Sequence, residues 1–296
     1  MRNIFFKLGF LGRGFVLLCL TVFLLLAAIV IGELTAVFIY GRDAVAHSDV
    51  EVMLWLQSIM AIGLFLLPPV LMIKLCCEGS LWSNMMAARP PKMLPLLVCV
   101  GAILVSAPLV SWLEDINLRM TLPECMQPVE NWMRAREDAA AELVGRFTNT
   151  PDTLRYIVNI LVLALLPALC EEMYFRVGVQ TRLFGDKSSI RGYWAVVLTA
   201  ALFSALHLQF YGFLPRMVLG ALLGVMLLIT GNVWYSVLAH FVNNMIAVTI
   251  AYIEARGVEL SQPQWMESWW MALLSGTVTV GMMLLLSNIE KKEKKF

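Results

Sequence analysis

Long apolar stretches separated by short polar breaks set the pattern of this chain. They run over Phe15–Tyr40, Val52–Leu75, Leu94–Leu113, Leu154–Arg176, Tyr193–Leu208, Phe213–Ile229, Val233–Ile253 and Trp269–Ser287. About 20 apolar residues in helical form cross a hydrocarbon core. The pattern therefore predicts an all-α, polytopic membrane protein: one domain over residues 1–296, a bundle of about eight transmembrane helices. The first stretch follows Arg2, Lys7 and Arg13, is too long for a signal-peptide core and ends in no small-x-small cleavage site, so it predicts an anchored helix. Pro68-Pro69 predicts a kink in the second helix. Gly220 and Gly224 predict a face of close helix packing, and Trp269-Trp270 fits an interfacial aromatic belt.

Composition agrees with that reading. Hydrophobic residues make up 60% of the chain and charged residues 15%, with a mean hydropathy of +0.77, outside the range of soluble domains. A net charge of +1 excludes a strongly basic nucleic-acid binder. Cys19, Cys76, Cys77, Cys99, Cys125 and Cys170 have no C-x-x-C spacing, which argues against a disulfide framework or a thiolate metal site. With a cytoplasmic N-terminus, 14 of the 22 basic residues fall on inner segments, and the other eight share the outer segments with 14 acidic residues. The positive-inside rule then predicts a multi-pass protein of the cell (inner) membrane with both termini cytoplasmic, its last helix anchored by Lys291–Lys295.

Glu114–Asp152 is the only sizeable segment outside the bilayer in this reading. Within it, Val129–Phe147 interleaves Trp132, Leu143, Val144 and Phe147 with charges, which suits either an amphipathic helix on the membrane surface or a solvated connector. The chain shows no internal repeat and no glycine-rich phosphate loop.

Charge inside an apolar run carries the candidate chemistry. Glu171, Glu172 and Arg176 lie at the end of the fourth run, where each charge costs about 2.5–3.5 kcal/mol on insertion scales and needs a partner. Glu172 and Arg176 are i, i+4 neighbours and can pair, while Glu171 points about 100° away around the axis. Either glutamate is a candidate base. Phe203 and His207 share a face of the fifth run, and His240 and Asn244 share a face of the seventh. A carboxylate base, two imidazoles and a carboxamide on three helices supply what amide hydrolysis requires. A two-His-one-carboxylate zinc site from Glu171, His207 and His240 is the competing arrangement, although its spacing is unlike H-E-x-x-H.

Depth constrains any shared site. Glu171 precedes Asp186 by 15 residues, about 22 Å of helix, and His207 follows Tyr193 by 14, about 21 Å. His240 is only nine residues past Gly231–Asn232, about 13 Å, so that hairpin must sit within the membrane or its helix must tilt.

Together, Glu171-Glu172-x-x-x-Arg176, Phe203-x-x-x-His207 and His240-x-x-x-Asn244, each on its own hydrophobic helix, resemble the three signature motifs of the CPBP (Abi, type II CAAX prenyl endopeptidase) family. The resemblance covers roughly residues 154–253, with residues 1–153 as variable N-terminal helices and outer loop, and 254–296 as the last helix and basic tail. It implies an intramembrane endopeptidase acting on a peptide or membrane-protein substrate in the lipid bilayer. Glu171 would activate water with help from His207, His240 and Asn244 would bind the oxyanion, and Glu172 and Arg176 would support them. No cofactor is required, with zinc as the possible exception. A catalytically idle immunity or scaffold protein is the alternative within the family, and a transporter the alternative outside it.

Overall fold

The computed structural model describes residues 8–150, 152–184, 190–258, 260 and 263–293, and every regular element among them is helical. The body consists of α1 (Phe10–Tyr40), α2 (Val50–Cys76), α3 (Met93–Leu118), α4 (Gln127–Thr148), α5 (Thr153–Leu183), α6 (Ile190–Ala205), α7 (Phe213–Thr230), α8 (Val233–Ala255) and α9 (Trp269–Glu293). Seven of these are long and apolar enough to cross a membrane, which makes the chain a multi-pass, all-α membrane protein. The fifth apolar run departs from expectation. Its helix α6 has 16 residues, a rise of about 24 Å, and stops at Ala205, short of Leu208. Three backbone bonds tighten its end: Leu206 N–H to the Leu202 carbonyl, His207 N–H to Ser204 and Leu208 N–H to Ala205. Leu208 then turns the chain with φ of 54°.

Prolines reshape two helices. A proline lacks its N–H and crowds the carbonyl four residues earlier, so the preceding turn widens. In α2 the wide turn is Ile62–Leu66, before Pro68 and Pro69, and in α5 it is Ile160–Leu165, before Pro167. The rest of α5, Glu172–Leu183, is also wound in the wide π form, where the sequence pattern predicted an ordinary α-helix.

One end of the bundle gathers the basic side chains. Phe10 of α1 stacks 5.6 Å from Phe184 after α5, and Arg182 donates to the Asn84 carbonyl. Arg89, Lys92, Asn232 and Glu290 line one shallow hollow on this end, with Lys291 and Lys292 following on α9. Arg2, Lys7, Asp186, Lys187, Lys294 and Lys295, used in the charge and depth counts, lie outside the described residues. Beneath the basic face the protein is solidly packed. Met173, Val177, Leu227, Val233 and Val237 join Met85–Ala87 in one buried cluster, while Leu223, Met226, Tyr235 and Ala239 join α3 and α9 in another.

At the opposite end α4 lies across the bundle. Arg146 donates to the Ser48 carbonyl, Asn159 to the Phe147 carbonyl, and Glu130 accepts from Leu122 N–H at 2.8 Å and from Arg134 at 2.7 Å. The Leu122 amide first, and Arg134 second, hold the Glu130 carboxyl below the usual carboxylate range. The segment is thus neither a free connector nor an isolated surface helix, because Phe147 and Thr148 are buried against the bundle.

Close packing at the predicted small-residue face is found between α6 and α7. A Cβ on Gly220 would meet Phe203 at 3.1 Å, and one on Gly224 would meet Gln180 at 2.7 Å and Val196 at 3.0 Å. Gln180 also donates to the Gly224 carbonyl at 2.9 Å. Gly224→Val should therefore overpack the contact and cost about 1–3 kcal/mol, read as a lower midpoint of unfolding in detergent. The Glu130 anchor carries a pH signature. Its folded-state value lies below the unfolded value of about 4.3, so its contribution is complete above that pH and fades as pH falls through the folded value. Hydrogen exchange of the α4 amides should accelerate in that acid window, and Glu130→Gln should show faster exchange already at neutral pH.

Candidate active site

The two neighbouring glutamates of α5 have opposite surroundings. Glu172 is fully buried; one oxygen accepts from Arg176 Nε at 2.9 Å and the other from His240 Nδ1 at 3.1 Å. Glu171, one step around the helix, keeps 14% of its side chain exposed, lines a cavity and brings Oε2 to 3.9 Å from His240 Nε2. The predicted Glu172–Arg176 pair is present, and the predicted divergence of the two carboxylates is also present. Arg176 is completely buried, its Cζ 5.3 Å from the centre of the Phe203 ring, and Nη1 and Nη2 have no hydrogen-bond partner among the described residues. The aromatic face offers the guanidinium a favourable neighbour where water is excluded.

Phe203 connects the three helices of the site. Its ring lies 5.1 Å from Phe175, 4.9 Å from His207 and 6.0 Å from His240, each contact edge-on. His207 stands on the turn after α6, not on the helix face predicted for it, because the helix ends at Ala205. Its Nδ1 lies 2.8 Å from the Phe203 carbonyl, so the ring donates from that nitrogen and closes the helix end itself. From α8 come His240 and Asn244, as predicted, together with Asn243. The Asn243 amide donates to Asn244 Oδ1 at 3.3 Å, which leaves the NH2 group of Asn244 as its available donor.

Glu171, Phe203, His207, His240, Asn243 and Asn244 line one cavity of about 670 Å³. Its floor holds Glu171, Phe203, His240 and Leu223, and its walls rise through Leu163, Pro167, Pro215 and Leu219 to Glu114, Gln209, Arg216 and Ala251. Leu143, Val144, Phe147 and Thr148 of α4 supply part of the wall near the mouth. Arg216 donates to the Gln209 carbonyl and side-chain oxygen at 3.3 and 3.0 Å, and Gln209 Nε2 donates to Glu137 of α4 at 3.4 Å. Sequence reading passed over Arg216, Glu114 and Asn243. Arg216 was detectable as a lone charge in the apolar run of α7, and Asn243 as the neighbour of Asn244.

The mismatch in depth between Glu171 and His240 has a structural resolution. Met173 and Val177, just past Glu171, share a cluster with Val233 and Val237, just before His240. The α7–α8 turn therefore stops well short of the end of α5, which runs on to Leu183. Residues 85–87 fill the space below it, with Val233 N–H donating to the Met86 carbonyl at 3.0 Å and Trp234 Nε1 to Ala87 at 3.1 Å. His240 thereby reaches the level of the glutamates with few residues behind it.

The zinc arrangement fits less well. Among the described residues no three His, Cys, Asp or Glu side chains converge as a metal-binding group. Glu171, His207 and His240 share the cavity, and with Nδ1 of His240 on Glu172 and Nδ1 of His207 on the Phe203 carbonyl both rings keep Nε2 as a possible ligand, so it is the lack of convergence, not the hydrogen bonding, that counts against the site.

Residues 153–246 match the family model described as type II CAAX prenyl endopeptidase Rce1-like. No curated protein and no solved structure matches the chain. The matched segment contains Glu171, Glu172, Arg176, Phe203, His207, His240 and Asn244, and it supports membrane-protease activity in general terms. The likeness to that protease family is confined to residues 153–246, about a third of the chain.

Proposed function

We propose that the protein is an intramembrane endopeptidase in which Glu171 activates the attacking water. The observation that carries this reading is the contrast between the glutamates. Glu172 has both oxygens engaged and no exposure, whereas Glu171 faces the cavity beside an imidazole. A general base must reach the proton it removes, and of the two only Glu171 has that access. Residues 154–253 act as the catalytic core of a single membrane domain, to which α2, α3 and α4 add cavity wall.

The steps follow from those positions. Glu171 takes a proton from water as the oxygen bonds to the scissile carbonyl carbon, and the carbonyl oxygen becomes an oxyanion. Asn244 donates to that oxyanion from the NH2 group that Asn243 leaves available. His240 supports it from Nε2, which faces Glu171 and the cavity while Nδ1 is held by Glu172. Collapse of the intermediate breaks the C–N bond, and the proton held on Glu171 passes to the departing nitrogen. His207 keeps Nε2 for the cavity, where it assists Glu171 with the water. Glu172 and Arg176 do no bond chemistry and hold His240 in place.

The substrate is a peptide or a membrane-protein segment. The idle immunity or scaffold reading would keep the same pocket but gains nothing from a free carboxylate beside an imidazole.

Cleavage of a panel of fluorogenic peptides by detergent-purified protein tests this. Glu171→Gln should lower kcat by about 10²–10⁴-fold and Asn244→Ala by about 10²–10³-fold, with turnover of the unaltered protein surviving a zinc chelator. Full activity in Glu171→Gln, or its loss in Glu172→Gln alone, would overturn the assignment. Arg176→Ala should act on folding instead. It strands Glu172 as an unpaired buried charge and should cost about 3–5 kcal/mol of stability, measured as a lower unfolding midpoint, while Glu171→Gln melts close to the unaltered protein.

A further inference from the structure

The lining of the cavity extends from the glutamates toward one end of the bundle. Every residue of its wall above Glu171 and His240 belongs to the half that carries α4: Glu114 near the end of α3, Gln209 and Gly212 in the α6–α7 turn, and Ala251 near the end of α8. Below the glutamates the protein is closed. Leu223, Met226 and Ala239 are at most 2% exposed, Val177 and Val233 at most 1%, and Phe175 is not exposed at all. These clusters, with Met85–Ala87 beneath them, separate Glu171 from the basic face.

Charge divides along the same axis. The sealed end presents Lys74, Arg89, Lys92, Arg182, Lys291 and Lys292, on short connections or at helix termini where basic residues govern orientation. The open end presents Glu51, Glu114, Asp115, Glu130, Glu137 and Asp138. Three of its cations are paired locally, in Arg155–Glu51, Arg119–Asp115 and Arg134–Glu130.

We infer that the cavity opens away from the cytoplasm, so that the substrate is a polypeptide presented from the non-cytoplasmic side, with α4 forming part of its wall. The identity of the ligand as a substrate rests on the peptidase reading above; the direction of opening rests on packing and charge alone. The walls specify what enters. Leu143, Val144, Phe147, Leu163 and Leu219 offer apolar contact, and the Asn243–Asn244 pair offers amide donors, which suits an extended segment with apolar side chains around the cleaved bond.

Cysteine accessibility tests the direction without requiring any activity. Cys19, Cys77 and Cys125, the native cysteines that are not buried, are first replaced by serine. Single cysteines are then placed at Ala251 or Gln209 on the cavity mouth and at Ser83 on the basic end, and cells carrying the full chain are treated with a membrane-impermeant maleimide. Ala251→Cys and Gln209→Cys should label in intact cells, and Ser83→Cys only after permeabilisation. The reverse pattern, or mouth labelling that needs permeabilisation at both positions, overturns the inference. A second arm adds a membrane-impermeant fluorogenic peptide, identified with purified protein, outside intact cells. Cleavage that disappears in Glu171→Gln supports the proposal, and cleavage only after permeabilisation overturns it. Outside labelling by a purified protein that cleaves nothing would retain the direction of opening and reject the peptidase reading.

Discussion

Arg176 and Glu172 are both removed completely from solvent, and the rest of the site is arranged around the cost of that burial. Two opposite charges in a low-dielectric interior are tolerable only when their geometry is good and their remaining valences are used. Here Glu172 is shared between Arg176 Nε at 2.9 Å and His240 Nδ1 at 3.1 Å, and the guanidinium rests on the Phe203 ring. The pair therefore fixes more than itself. It orients the His240 ring so that Nε2 faces Glu171, and it ties α5 to α8 and α6 through one set of contacts. Breaking it would release an imidazole, an aromatic wall and a helix junction together.

Much of this was legible because helix periodicity converts spacing into direction. Glu172 and Arg176 four residues apart had to meet, and Glu171 had to point elsewhere, whatever the fold around them. Seven of the eight apolar runs likewise appear as helices long enough to cross a membrane, since length and hydropathy alone select them, and the fifth appears as a shorter helix. What stayed hidden depended on contacts distant in sequence. The partner of Glu172 on α8 is 68 residues away, and spacing cannot say which imidazole it takes. The end of α6 was misplaced because its termination is a local competition: the His207 ring occupies the Phe203 carbonyl, an arrangement that hydrophobicity does not register.

The segment before α5 shows a similar limit. Its amphipathic pattern left a surface helix and a solvated connector equally open. The outcome was decided by individual polar contacts, Arg146 with Ser48, Glu137 with the Tyr211 amide, and Asn159 with Phe147, that seat α4 over the bundle. Its apolar residues then face the cavity near the mouth. A helix that reads as an accessory in sequence becomes part of the cavity wall.

A gradient of side-chain size explains why the cavity lies on one side of the glutamates. Toward the basic end α8 begins with Val233, Trp234 and Tyr235, and α5 carries Met173, Tyr174 and Phe175, enough volume to fill the space between helices. Toward the other end α8 offers Asn243, Asn244, Ala247 and Ala251, while Pro167 and Pro215 replace bulkier chains on α5 and α7. Close-packed protein excludes water wherever side chains can fill the gap. Hydrolysis needs water at the carboxylate, and Glu171 stands at the boundary between the filled half and the hollow one. Glu172, one residue later, stands within the filled half, where the absence of water strengthens its hold on Arg176 and His240. The different surroundings of the adjacent carboxylates, on which their proposed roles rest, thus follow from where each lies along that gradient.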